Sequence, residues 1–149
     1  MMNLAEILRS STRYWLVKSE PESYGWAHLT EEGEATWDGV RNYQARNFMR
    51  EMSVGDLVLF YHSGKAREIV GIAEITQAAY TDPTTDDERW IAVSLQAVRL
   101  LDRPVSLDTI KSDPELADMY LVRQSRLSVM PVEKAAFDRV IQHSKEASE

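Results

Sequence analysis

Residues able to perform covalent or metal chemistry are sparse in this chain of 149 residues. It contains no cysteine, which removes thiolate nucleophiles, thiolate metal ligands and disulfides together. Among its three histidines only His62 has a suggestive setting, at the end of an apolar run, and no second histidine lies at a metal-ligand spacing. No Gly-x-Ser-x-Gly elbow and no phosphate loop is present. The sequence therefore predicts no metal, no cofactor and no catalytic residue, and His62 is interpreted as a hydrogen-bonding residue of a pocket.

Aromatic side chains offer a different chemistry, the stacking of flat rings. Trp26, Trp37 and Tyr61 could each present a ring face to a planar ligand. Any one of them alone is more often a core residue, but Trp37 has no apolar run around it and precedes an Asp-Gly turn signal. Gly39 could let a ligand approach the backbone closely, or could form an ordinary tight turn. Asn42 could bond a ligand edge, or could cap the helix that follows it.

The formal net charge of the chain is −7 at pH 7. Proteins that hold phosphates without regard to sequence usually carry a basic excess, so this balance argues against a general nucleic-acid binder. Any contact with nucleic acid must come from a local basic patch. The basic residues available for such a patch are Lys18, Arg41, Arg46, Lys65, Arg67, Arg123 and Arg126. A solvated surface remains the alternative for all of them, and the i, i+4 spacing of Arg46 and Arg50 fits it well.

Helical spacing of apolar residues is clearest over Tyr43–Met52, where Asn42 is in place to cap the first turn. Shorter helices are predicted at 24–29, after Ser106 through Lys111, from Asp113-Pro114 onward, and around Ala136–Ile141. Residues 31–34 and 81–87 read as polar loops.

Strands are predicted at Tyr14–Lys18, Leu57–Tyr61, Ile69–Ile75, Trp90–Leu100 and Leu127–Val132. The second and third are continuously apolar and are joined by a polar tip, which predicts a buried antiparallel pair. No strand–helix–strand rhythm recurs. The pattern therefore predicts an α+β protein with a small mixed sheet curled towards a barrel.

The length fits one domain, which we expect at residues 13–149, with residues 1–12 as an N-terminal extension. No apolar run approaches the ~20 residues that a membrane-spanning helix needs. The absence of cysteine suits a reducing compartment, so a cytoplasmic location is expected. The sequence does not reveal the oligomeric state, for which a monomer is the expectation.

Six stretches, taken in order, carry a family pattern: Tyr14–Pro21, Trp37–Asn47, Gly55-Asp56, Tyr61–Ser63, Ile69–Ala73 and Arg126–Val129. Together they resemble the EVE domain, a member of the PUA-like superfamily, and they span nearly everything after Thr12. Two positions depart from the pattern: Thr81 stands where proline is usual, and Met130 stands where glutamine is usual.

The resemblance implies a PUA-like pseudo-β-barrel of mixed strands, with short helices packed around it and a pocket at one end. It implies binding of DNA or RNA through a modified, flipped base, with modified cytosine as a leading candidate. Such a pocket needs ring faces, partners for the base edge and charge for phosphates. The residues expected to bind the ligand are Lys18, Ser19, Trp26, Trp37, Gly39, Arg41, Asn42, Tyr61, His62, Ser63, Arg126 and Ser128.

Two other functions remain open at this point. Relatives of the ASCH group within the PUA-like superfamily include small amidohydrolases, and Lys18 with Glu20 could suggest a lysine–carboxylate pair. A module that binds structured RNA is the second alternative, because contact with a 2′-hydroxyl leaves no sequence motif.

Overall fold

The computed structural model describes residues 12–145, so the expected N-terminal extension lies, apart from Thr12, outside the described residues. Six strands are found in this part of the chain: β1 (Tyr14–Ser19), β2 (Glu34–Trp37), β3 (Leu57–His62), β4 (Glu68–Thr81), β5 (Ile91–Ser106) and β6 (Val129–Val132). The helices there are α1 (Pro21–Tyr24), α2 (Trp26–Glu32), α3 (Tyr43–Arg50), α4 (Leu107–Ser112), α5 (Tyr120–Arg123) and α6 (Lys134–Lys145). None of these helices has the length and apolar character needed to cross a membrane.

All six strands form one sheet in the order β2-β5-β4-β3-β1-β6. The β1–β3 pair is parallel and the other four pairs are antiparallel, so the predicted α+β class with a mixed sheet is confirmed. β4 and β5 change register at four places, and bulges of this kind add bend and twist to a sheet. The sheet remains open, since β2 and β6 lie at opposite edges and do not pair with each other.

The central strands are buried because their sequences are apolar on both faces. Leu16 in β1 and Leu59 in β3 face each other in the register and are both fully buried. The one polar atom of the buried Trp15 ring is satisfied, since its Nε1 donates to Asp56 at 2.9 Å. Pro21 begins α1 directly after β1, so β1 ends at Ser19, one residue beyond the predicted end at Lys18. The end of β1 is thereby placed beside α1 at one rim of the sheet.

Several predicted boundaries differ from the structure. β4 and β5 run on to Thr81 and Ser106, and α2 and β2 occupy most of the segment predicted as a loop at 31–34. The expectation of a helix starting at Asp113-Pro114 is wrong. Leu116 N–H donates to the Asp113 carbonyl at 2.9 Å, and such i, i+3 bonds make turns there in place of an α-helix.

Candidate functional site

A pocket of about 390 Å³ opens where β1, α1 and the chain that follows β2 meet, a size within the range of small-molecule sites. It is lined by Lys18, Ser19, Tyr24, Thr36, Trp37, Asp38, Gly39, Val40, Arg41, Asn42 and Ser128. The structure thus brings together seven of the twelve expected ligand-binding residues. These seven are Lys18, Ser19, Trp37, Gly39, Arg41, Asn42 and Ser128.

Trp37 is the aromatic wall of the pocket. It is the last residue of β2 and pairs with Val93 of β5, which anchors its backbone. Its indole makes edge contacts with Tyr24 and Phe60, at centroid distances of 5.9 and 5.7 Å. Trp37 is half-buried, so its orientation is fixed by the core while part of its surface remains open to a ligand.

Gly39 lies in the loop after β2 with a φ of 74°, a conformation that favours glycine. A Cβ atom built there would meet no atom within 4 Å, so the space beside this backbone is open. The Gly39 amide donates to Asp82 Oδ2 at 2.9 Å. The loop is therefore shaped by a carboxylate from the far end of β4.

Asp82 is completely buried and accepts four hydrogen bonds. They come from Gly39 N, from Arg41 Nη1 at 3.0 Å, and from the amide and hydroxyl of Thr84 at 2.7 and 2.6 Å. Burial alone would raise the pKa of this carboxyl, but the bonds from Thr84, Gly39 and Arg41 hold the pKa of Asp82 well below its usual range. Asp82 is therefore a charged anchor for the loop, and it does not itself line the pocket.

The hydrogen bonds of Arg41 hold the loop after β2 in place. Its guanidinium bonds the Val40 carbonyl at 3.1 Å, Asp82 and the Thr84 hydroxyl, and it lies 5.4 Å from the centroid of the Trp90 ring. The side chain is 41% exposed. The Arg41 side chain lies at the rim of the pocket, where it can contact a ligand, but its hydrogen bonds in the structure all stabilise the loop.

The other wall of the pocket is formed by Lys18 and Ser19, near the start of the domain, and by Ser128, near its end. Lys18 Nζ donates to the Ser125 carbonyl at 2.8 Å, and burial lowers the pKa of Lys18. Lys18 N–H donates to the Ser128 carbonyl at 2.9 Å, which joins β1 to the segment before β6. Ser19 Oγ donates to the Tyr24 carbonyl at 2.6 Å and so ties the end of α1 to β1. These bonds position the wall and leave the Ser128 hydroxyl without a partner of its own among residues 12–145.

Asn42 caps α3, because its Oδ1 accepts a hydrogen bond from Ala45 N at 2.8 Å. The cap uses the oxygen of the amide. The amide nitrogen of Asn42 makes no hydrogen bond within the described chain, so it is available on the pocket side.

Tyr24 was not predicted as a site residue. Its hydroxyl is buried and has no hydrogen bond of good geometry to any described residue. Burial, with the nearby Glu32 carboxylate, raises the pKa of Tyr24 far above its usual range. The phenol therefore stays neutral, with a polar atom buried beside the pocket.

Four expected ligand-binding residues serve the core or the backbone framework. Trp26 is 8% exposed and packs edge-on against Phe60, 5.6 Å away, so it does not offer the free stacking face expected of it. Tyr61 is 3% exposed. His62 Nε2 accepts from the Trp26 amide at 3.1 Å, and burial lowers the pKa of His62. Ser63 N–H donates to the Ser19 carbonyl at 2.9 Å.

Arg126 lies beside the pocket and not in its lining. It borders a neighbouring cleft of about 340 Å³ together with Asn42, Gln44, Arg123, Gln124, Ser125 and Leu127. Asn42 lines both cavities, so the two are adjacent. The cleft has two guanidinium groups and no acidic residue in its lining.

Sequence reasoning missed the anchor Asp82 and four residues of the pocket lining: Tyr24, Thr36, Asp38 and Val40. Asp38 was visible as part of an Asp-Gly turn signal, and its carboxylate could have been counted. Asp82 was visible only as a loop residue, since nothing in the sequence connects it with Gly39. Among the described residues there is no group of three histidine or acidic side chains that could hold a metal ion.

A small α+β domain with an aromatic-walled pocket at the rim of an open mixed sheet defines the class of this protein. The sequence model of the EVE domain matches residues 13–143, and the chain belongs to this family, as its ordered stretches predicted. Thymocyte nuclear protein 1 of Mus musculus is 35% identical over 89% of this chain and 74% of its own length.

Two solved structures are similar over almost the whole domain. A crystal structure of a protein from Agrobacterium tumefaciens has a TM-score of 0.88 and 40% identity, covering 93% of this chain and 97% of that one. Human THYN1 protein, in complex with 5-methylcytosine containing DNA, has a TM-score of 0.84 and 33% identity, covering 92% of this chain and 100% of that one.

Proposed function

We propose that this protein reads a modified base in nucleic acid, by enclosing the base in the Trp37 pocket. The single observation that carries the proposal is the pocket itself: a half-buried indole stands beside a loop with open space at Gly39. The DNA-bound human relative supports the proposal, because its complex contains a 5-methylated base. The proposed acting form is a cytoplasmic monomer.

Binding has to recover the energy needed to remove a base from its stack. Extrusion from a duplex costs a few kcal/mol, and stacking on an aromatic side chain returns ~1–3 kcal/mol per base. An added methyl group that fills apolar space contributes ~0.8 kcal/mol. The expected preference for a modified base over the plain one is therefore modest, at about fourfold.

Phosphates are assigned to the cleft beside the pocket. Arg126 makes no ion pair within residues 12–145, and Arg123 donates its Nε to the Asp118 carbonyl at 2.8 Å. Because an acid-free cleft with two guanidinium groups adjoins the pocket, the phosphate next to the bound base can lie there. Because the net charge of the chain is −7, phosphate contacts are confined to this cleft.

The experiment is a binding screen over oligonucleotides, DNA and RNA, that differ at one base: plain cytosine, 5-methylcytosine and 5-hydroxymethylcytosine. Trp37→Ala should abolish the preference for the modified bases. Tyr120→Ala is the matched control, since it truncates an aromatic residue that packs on Phe48, and Tyr120 lies outside the pocket lining. If Trp37→Ala preserves the ranking of the bases, the pocket assignment is wrong.

Two further measurements test the alternative functions, a small amidohydrolase and a module that binds structured RNA. Incubation with acylated cytidines would give turnover if the protein were an amidohydrolase, whereas a reader gives saturable binding alone. In the structure Lys18 bonds the Ser125 carbonyl, which uses one of the three donors of the ammonium that such an enzyme would need. A preference for folded RNA over modified single bases would favour the structured-RNA module.

A further inference from the structure

Three charged side chains line the Trp37 pocket: Lys18, Asp38 and Arg41. Lys18 bonds the Ser125 carbonyl, and Arg41 bonds Asp82. Asp38 has no hydrogen bond and no ion pair with another residue anywhere in residues 12–145. It is the one charge in this lining that the protein leaves for something else to satisfy.

The surroundings of Asp38 make an external donor favourable. Burial raises the pKa of Asp38, the charge of Asp82 raises it further, and Arg41 opposes both. The Asp38 side chain is exposed in the free protein, so water satisfies its carboxylate until a base fills the pocket. A base that displaces this water without offering a donor leaves the carboxylate unsatisfied, which is costly. A ligand that presents an N–H at this point therefore replaces the water that it displaces from Asp38.

We propose that Asp38 determines which base the pocket accepts, by taking a hydrogen bond from the exocyclic amino group of a cytosine-class base. This inference rests on the proposed function. An ionised carboxylate only accepts hydrogen bonds, and the 4-amino group of cytosine is a donor. The same position in thymine is a carbonyl oxygen, which is also an acceptor. Two acceptors would then face each other, so thymine is rejected.

The remaining polar groups of the pocket complement this assignment. The Asn42 amide nitrogen is a donor that its helix cap leaves unused, and the ring nitrogen and carbonyl of cytosine are acceptors. The modification at carbon 5 lies on a different edge of the base. Asp38 therefore sets the identity of the base, whereas the apolar wall at Trp37 and Val40 sets the preference for the added group.

5-Methylcytosine and thymine form a matched pair of ligands, because both carry the same methyl group and they differ at the edge that Asp38 reads. The unaltered protein should bind an oligonucleotide with 5-methylcytosine about 10- to 100-fold more tightly than the same oligonucleotide with thymine. Asp38→Asn keeps the size of the side chain but adds a donor, and the amide can turn either group to the base. The discrimination should then fall to within a few-fold.

Asp108→Asn is the control, since it removes the same charge from an exposed position in the first turn of α4. This variant should keep the discrimination. Asp38→Ser carries the same expectation as Asp38→Asn, because a hydroxyl both donates and accepts, and it serves if Asp38→Asn does not melt cooperatively.

Two results would overturn the assignment: thymine bound as tightly as 5-methylcytosine by the unaltered protein, or discrimination retained when Asp38 is replaced. Failure of the proposed function looks different. In that case the unaltered protein would show no preference for 5-methylcytosine over plain cytosine, whatever happens at Asp38.

Discussion

Asp82 and Gly39 are joined by a hydrogen bond of 2.9 Å across 43 residues of sequence, and through it the loop after β4 shapes the wall of the pocket. The same carboxylate holds Arg41 and Thr84. The pocket loop is therefore rigid because of a residue that does not touch the ligand space. Asp82 is a positioning residue.

Replacing Asp82 should weaken both the fold and binding. Asp82→Ala leaves the Gly39 and Thr84 amides without their acceptor and should lower the free energy of unfolding by about 2–3 kcal/mol. Ligand affinity should fall as well, because the loop loses its fixed shape. Thr84→Val removes the hydroxyl that donates to Asp82 and accepts from Arg41. It should lower the free energy of unfolding by about 1 kcal/mol and largely retain binding, because Asp82 still holds both Gly39 and Arg41. Urea unfolding and titration of the oligonucleotide measure both quantities; equal effects on binding would contradict the role of Asp82.

Gly39 lines the pocket and Gly33 does not, so alanine substitutions at these two positions separate the effect of backbone strain from an effect on ligand binding. Their φ angles are 74° and 78°, and a Cβ atom would meet no other atom within 4 Å at either position. Alanine at each should therefore lower the free energy of unfolding by a similar amount, about 1–2 kcal/mol. Only Gly39→Ala should weaken ligand binding. Parallel melting curves and affinities test this, and equal binding by the two variants would place Gly39 outside the site.

Gly71→Ala should damage the core and spare the selectivity of the pocket. A Cβ atom at Gly71 would lie 2.5 Å from the Trp26 ring, which is held on its other side by the core. Overpacking of this kind lowers the free energy of unfolding by about 1–3 kcal/mol. The ranking of modified over plain bases should not change. A changed ranking in a protein that remains folded would mean that Trp26 takes part in recognition.

Salt dependence should reveal how few phosphates are held. With the basic cleft at Arg123 and Arg126 as the main contact, about 2–4 phosphates are expected, and the slope of log affinity against log salt should be shallow. Arg126→Gln should reduce that slope by about one, for plain and modified ligands alike. Arg99→Gln, in the middle of β5 and far along the sheet, should leave the slope unchanged. A steep slope would instead indicate an extended basic surface.

Acid should destabilise the fold partly through Asp113. This carboxylate receives bonds of 2.7 Å from His143 Nε2 and from Arg139 Nε, and these partners hold the pKa of Asp113 well below its usual range. A depressed pKa in the folded state gives stability that is present above the unfolded value of about 3.9 and is lost as the pH falls below it. Asp113→Asn should therefore be less stable at neutral pH and should show a flatter loss of stability below about pH 4. Unfolding midpoints measured from neutral pH to about pH 2 test the slope.

The elements that the sequence predicted correctly are those with a local signal. The apolar runs at β1 and β3, the Asn42 cap of α3 and the Ser106 cap of α4 each depend on neighbouring residues. A mixed sheet was predicted, but the parallel pairing of β1 with β3 was not, because these strands lie about forty residues apart in the sequence. Periodicity cannot report such a contact.

The residues of the site also fall into those with a local sequence signal and those without one. Trp37 was separated from the core aromatics by its position before a turn, and the pocket contains it. Trp26 gave no comparable signal, and its burial depends on the missing side chain of Gly71, which lets the indole lie against β4. Asp82 acts through a loop whose neighbour in space lies far away in sequence. Residues that act through tertiary contact were the ones that sequence reasoning missed.

The pocket is assembled from residues that are synthesised far apart in time. Lys18 is made early, whereas Ser128, whose carbonyl bonds the Lys18 amide, comes after most of the domain. A nascent chain that has not reached β6 leaves one side of β1 unpaired and one wall of the pocket absent. A fragment that ends before β6 therefore lacks this wall, and we expect it not to bind the ligand of the complete protein.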